Sequence, residues 1–189
     1  MLTEFINTTM GVGTLAMQAL VVIILVSYFY VRYLGEKLPR AFKPAWDFIK
    51  ENSLLMAFLV VLFGTIGSLI YSEVLGFEAC SLCWYQRALI YPQVFILGVA
   101  VYKKNKEIFD YVVGLNIFGI LIAGYQYYFQ MLGRGETCPI GEIDCFKIYL
   151  LELGYITIPL MALTLFVFVL IMTYIWKKTN LKSVKLEEM

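Results

Sequence analysis

The chain has 189 residues, 61% of them hydrophobic and 15% charged, where an ordinary soluble domain is roughly 45–50% apolar. A net charge of +1 makes no field that would gather nucleic acid or another polyanion, so the informative quantity is where the charges fall. Histidine is absent, which excludes c-type haem attachment, bis-histidine haem, Cys/His zinc sites and a Ser-His nucleophile.

The composition is that of an all-α membrane protein. A bilayer core needs about 20 mostly apolar residues per helix, and five stretches meet that need, at about 12–33, 54–72, 84–102, 109–131 and 155–176. Short connections and the lack of repeats predict one helical bundle with no room for a soluble catalytic domain. Residues 1–53 read as an extra N-terminal transmembrane helix with a cytoplasmic linker, 54–178 as a four-helix transmembrane bundle, and 179–189 as a cytoplasmic tail.

The first stretch differs from a signal peptide. Its flank "MLTEFINTTMGVG" has no basic n-region, and the apolar run is longer than an h-region. The basic flank follows it, in "VRYLGEKLPRAFKPAWDFIKEN", which predicts an outer amino terminus. Within that flank, Pro39 and Pro44 with Trp46, Phe48 and Ile49 fit either a short interfacial helix or a plain loop. The same orientation puts Arg32, Lys37, Arg40, Lys43 and Lys50 inside, then Lys103, Lys104 and Lys106, and finally Lys177, Lys178, Lys182 and Lys185. Only Arg87, Arg134 and Lys147 fall outside. Five spans result, amino terminus out and carboxyl terminus in.

Cys80 and Cys83 then lie at the outer end of the third helix, in "EACSLCWYQR", and Cys138 and Cys145 in the outer loop "GRGETCPIGEIDC". Disulfides persist outside the cytoplasm, so two outward pairs point to disulfide chemistry. Two plainer readings compete with that. Structural staples gain more as the closed loop lengthens, and a Cys-x-x-Cys ring is too small to gain much. A four-thiolate metal site must stay reduced in an oxidising compartment.

Cys80 falls at a helix start, where unpaired N–H groups and the macrodipole favour an anion. Cys83 lies one turn further in. Arg87, four residues on, shares its face, at a depth where a lone guanidinium is costly. Its expected partners are the Cys83 thiolate and a ligand oxygen, against the alternative of snorkelling to the interface. Trp84 and Tyr85 read as aromatic belt, and Gln86 as a helix-packing polar residue. Asn116, Gln126 and Gln130 read as interhelical hydrogen-bonding groups, with a place in the ligand site as the alternative.

Repeated disulfide formation needs an electron sink. The chain carries no haem ligands, no Rossmann glycine pattern and no flavin domain, whereas a lipid-soluble quinone needs only a pocket between helices.

These residues resemble the DsbB-type quinone-dependent disulfide-forming family, and within it the BdbC-like branch. The resemblance is carried by "CSLCWYQR", by "CPIGEIDC" and by "GYITIPLMAL" at the last helix, and it covers about residues 50–178. It implies a multi-pass protein of the bacterial inner cell membrane with extracytoplasmic cysteine loops. It implies ubiquinone or menaquinone from the membrane pool as cofactor, and a thioredoxin-like DsbA-type thiol oxidoreductase as partner. It also implies a relay: the reduced partner attacks the Cys138–Cys145 disulfide at Cys138, freed Cys145 attacks Cys80, and Cys83 leaves as a thiolate. Cys83, assisted by Arg87, would then make the charge-transfer or covalent contact with the quinone.

Three features depart from the family. The first helix is additional to the four-helix core, the loop cysteines are only seven apart, and position 86 is Gln where some relatives carry an acid. In the distantly similar vitamin K epoxide reductases the loop pair precedes the Cys-x-x-Cys, the reverse of the order here. A transmembrane thiol reductant would need cysteines reachable from the inner face. A structural or partner-binding subunit with passive disulfides would use Gly64 and Ser68 for helix packing.

Overall fold

The computed structural model describes residues 2–33, 42–103, 108–133 and 145–187. Cys138 and Arg134 lie outside the described residues. The described residues form five α-helices: α1 (Leu2–Tyr33), α2 (Lys43–Leu69), α3 (Ser81–Lys103), α4 (Ile108–Met131) and α5 (Ile158–Glu187). α2 ends in a π-helical turn, Ile70–Val74. The β-structure among the described residues is one isolated bridge, between Glu152 and Ile156.

α2, α3, α4 and α5 pack in a ring, each on two neighbours, and α1 lies outside it against α5. The surface is apolar. Val22 and Val26 of α1, Phe63 of α2, Phe95 of α3 and Leu121 of α4 are all exposed, a girdle that water would not tolerate and a bilayer would. The segments Thr3–Tyr30, Lys43–Val74, Ile108–Met131 and Ile158–Thr179 are long and apolar enough to cross a membrane. α3 is not among these four. Gln86, Arg87 and Gln93 lower its apolar content, and all three are buried against the other helices.

Lipid tails are as apolar as leucine, so packing rather than the hydrophobic effect brings such helices together, and it favours small residues at contacts. Two glycines supply the closest approaches. A Cβ on Gly119 of α4 would collide with the Phe166 ring of α5, and one on Gly64 of α2 with Leu165 of α5. Between α3 and α4 a fully buried polar pair replaces this contact: Asn116 donates to Gln93 Oε1 at 2.9 Å and to its own helix at Val112 O at 2.7 Å.

Three boundaries differ from expectation. α1 begins at Leu2 rather than near residue 12, so "MLTEFINTTMGVG" is helical almost throughout. α2 begins at Lys43, with Pro44 in its first turn, where the missing proline N–H breaks no helical bond. Trp46, Phe48 and Ile49 therefore belong to the same helix as the span that follows, rather than to a separate interfacial helix or a loop. α5 begins at Ile158 and runs to Glu187, through most of the stretch expected as a tail.

Candidate functional site

The cysteine helix is reached through a sharp return. After the π turn, Gly76 takes φ +68°, a conformation glycine adopts without strain. The Phe77 N–H then bonds Tyr71 O at 2.9 Å. Phe77 stacks between Tyr71 and Tyr149, with ring centroids 5.8 and 5.6 Å away. Cys80 is the hinge residue: its carbonyl accepts the Trp84 N–H at 3.0 Å and so opens α3. Its sulfur therefore sits where the first-turn N–H groups of α3 have no helical partners.

Cys80 and Cys83 are free thiols. The Cys80 thiol donates to Cys83 Sγ at 3.1 Å. Cys145 is disulfide-bonded and packs with Cys80 in one buried cluster that also holds Leu82 and Cys83. Three of the four predicted cysteines thus meet at one end of the bundle.

Gln126 of α4 ties this cluster together. It is 2% exposed, and its Nε2 reaches Cys145 O at 2.8 Å, Cys80 Sγ at 3.5 Å and Cys83 Sγ at 3.6 Å. Its Oε1 accepts from Gln86 Nε2 at 2.7 Å, which fixes the direction of the amide. Gln126 does link helices, as a buried glutamine in an apolar helix suggests, but its contact with the sulfurs comes from the fold and was not readable from spacing. Gln86 is the packing residue expected of it.

Arg87 is buried, 9% exposed, so it does not snorkel. Its hydrogen bonds within the protein go to α2. Nε donates to Ser68 Oγ and Nη2 to Ser68 O, both at 3.0 Å, and the guanidinium lies 5.2 Å from the Trp84 ring centroid. The physical reason is position: Ser68 stands on α2 just before the π turn, facing α3. Within the Gly64 and Ser68 pair, only Gly64 serves close helix packing, while Ser68 anchors the arginine. Trp84 and Tyr85 are exposed, as a belt requires.

A cavity of about 620 Å³ adjoins these groups, lined by Cys80, Cys83, Arg87 and Gln126 together with Tyr71 and Gln130. Its remaining walls are mostly aliphatic residues of α2 and α5, closed on one side by α1. Tyr71 Oη and Gln130 Oε1 are buried and have no hydrogen-bond partner among the described residues, a costly state unless a bound group satisfies them. An apolar slot with a few convergent polar atoms is the usual form of a small-molecule site. Among the described residues no group of His, Cys, Asp and Glu is arranged to hold a metal ion.

Comparison with known proteins agrees with this chemistry. The family model described as "Disulfide bond formation protein DsbB" matches residues 50–177. The SPbeta prophage-derived disulfide bond formation protein B of Bacillus subtilis is 40% identical over 139 residues, covering 73% of this chain and 92% of that protein. The probable disulfide formation protein C of Bacillus cereus is 37% identical over 130 residues, 67% of this chain and 92% of that protein. A probable disulfide formation protein of Coxiella burnetii is 36% identical over 136 residues, 67% and 90% of the two chains. No solved structure matches at a significant level. The match spans α2 to α5 and the whole cysteine cluster, and on that ground the chain belongs to the DsbB family of disulfide bond formation proteins.

Proposed function

We propose that the protein is a membrane thiol oxidase that reoxidises a thioredoxin-like, DsbA-type partner and delivers the electrons to a membrane quinone. The observation that carries this reading is the junction of two free cysteines, a disulfide-bonded third cysteine and an apolar cavity with buried polar atoms to spare. In balance, the partner's dithiol becomes a disulfide and releases two electrons and two protons, and the quinone becomes a quinol.

The residues present suit a quinone. Its flat apolar body matches the aliphatic walls, and its carbonyl oxygens need donors, which Tyr71 Oη and the Arg87 guanidinium supply. A bound quinone would accept two electrons and two protons; everything else falls to the chain. Cys138 receives the partner's thiolate, and Cys145 carries the exchange to Cys80, beside which it is packed. The new Cys80–Cys145 bond releases Cys83 as the thiolate, and the Gln126 amide already aims at its sulfur. Gln126 also holds Cys145 by its carbonyl, so one side chain keeps giver and receiver of the exchange in register.

Charge placement supports the orientation. Lys50, Lys103, Lys177 and Lys178 lie toward the end of the bundle away from the cysteines, the distribution that the positive-inside rule associates with an extracytoplasmic cysteine end. α3 has 23 residues, a rise of about 35 Å at ~1.5 Å per residue, enough to make the fifth span.

The test is quinone reduction, followed by absorbance, on mixing purified protein in detergent with a reduced thioredoxin-like protein. Turnover should be abolished by Cys83→Ser. A folded wild type inactive with ubiquinone and menaquinone, or a fully active Cys83→Ser, would move the assignment to a structural subunit with passive disulfides.

A further inference from the structure

The family match begins at residue 50, yet the cavity that adjoins the cysteines is not built by the matched segment alone. Thr9, Met10, Gly13, Thr14 and Met17 line it as well. Their spacing is that of one helical face, so α1 presents a continuous strip to the site. The strip is apolar: the one buried hydroxyl, Thr14 Oγ1, is turned back to Met10 O at 2.8 Å, leaving methyls and two thioethers toward the cavity.

α1 is held at this place by specific contacts with both neighbouring walls. On the α2 side, Met10 lies so close to Gly67 that a Cβ there would come within 3.2 Å of its Cε. On the α5 side, Gln18 donates to Thr164 Oγ1 at 3.1 Å and accepts from Tyr155 Oη at 2.9 Å. Gly11 fits against Glu152, where a Cβ would stand 3.3 Å from the glutamate Cβ. Glu152 and Tyr155 belong to a tight turn before α5 in which Leu153 and Gly154 have φ of +52° and +79°. The Tyr155 N–H bonds Glu152 O at 3.2 Å, so the turn is a formed clasp. α1 therefore lines the cavity while touching both α2 and α5.

We propose that α1 is a wall of the quinone site, with Met10 the residue that discriminates among quinones by ring substitution and tail. The role rests on the functional reading above. A methionine thioether is polarisable and packs well on a planar ring, and an unbranched side chain accommodates ring substituents of different size. A four-helix relative without α1 would leave this side of the cleft to lipid. Here the opening is lined by protein, and the binding energy of ring and first tail units depends on residues 9–17.

The experiment uses the full chain and a short-tailed azido-quinone. Photolysis of the wild type should label fragments containing residues 9–17 in addition to α2 and α3. Met10→Trp, which fills the cleft, should raise the KM for long-tailed quinone about tenfold with kcat and partner exchange nearly unchanged, the pattern of lost binding rather than lost chemistry. Gly13→Leu is the second variant, because a side chain there meets nothing within 4 Å and folding should survive; the same KM shift is expected. If the wild type reduces quinone but the label is confined to α2–α5, or both variants keep the wild-type KM, the role of α1 is overturned and the oxidase reading stands. If the wild type neither reduces nor is labelled by quinone, the oxidase reading fails and takes the role of α1 with it.

Discussion

The bundle has a cavity at each end, and the cysteines line the smaller of the two. At the lysine end a space of about 1050 Å³ is lined by Tyr28, Trp46, Lys50, Phe109, Tyr174 and Lys178. Both of its lysines are already engaged: Lys50 pairs with Asp47 at 2.8 Å, and Lys178 sits 4.9 Å from the Tyr28 ring centroid. None of the buried unpartnered atoms among the described residues lines it. The cysteine-end cavity is smaller, about 620 Å³, but it brings together two free thiols, a buried guanidinium, and a phenol and an amide oxygen with no partner. Volume marks where a lipid or ligand could fit, and unsatisfied chemistry marks where a reaction can be driven.

Substitutions should separate the two ends sharply. The largest effect within the network is expected for Gln126→Leu, which keeps volume but removes the amide from both sulfurs and from Cys145 O. Turnover should fall roughly 10- to 100-fold, on the scale of losing a group that positions the reacting atoms; rapid-mixing kinetics of thiol exchange would detect it. A loss of folding without any change in the rate of the folded fraction would reduce Gln126 to a packing residue.

Arg87→Ala comes next. Quinone KM should rise several-fold, as expected for loss of a ligand-binding contact, while exchange with the partner is little altered. Ser68→Ala should move the same parameter less, because it removes one of two contacts to the guanidinium. Equal loss of quinone use and partner exchange would contradict the placement of Arg87 at the cavity. The smallest functional effect belongs to the middle of the bundle: Gly119→Ala should cost about 1–3 kcal/mol by overpacking against Phe166 and leave turnover per folded molecule unchanged. Denaturation in detergent beside an activity assay checks both halves.

Much of this arrangement is legible in the chain. The apolar runs locate every helix, and "CSLCWYQR" places Cys80 at a helix start because a Cys-x-x-Cys at the edge of an apolar run has little else to be. The misplaced boundaries share one cause. Helix formation extends past the apolar run wherever polar residues keep good backbone geometry, as at Leu2 and Glu187, and hydropathy does not register that. Arg87 and Gln126 show a different limit. Burial depth and the need for partners follow from residue type, but the identity of the partner depends on which helix faces which. Ser68 is nineteen residues from Arg87, and Cys80 forty-six from Gln126. The place of α1 is the extreme case: nothing in its sequence of small and apolar residues distinguishes a lipid-facing helix from one that walls a site.

The most direct measurement is a single turnover without partner. Protein with Cys80 and Cys83 reduced is mixed with quinone while quinol is followed by absorbance and thiols are mapped by mass spectrometry. Electron balance predicts quinol appearing in step with a Cys80–Cys83 disulfide, with Cys145 still bonded throughout. Quinol formed with that pair still reduced, or a pair that stays reduced in excess quinone, would contradict it.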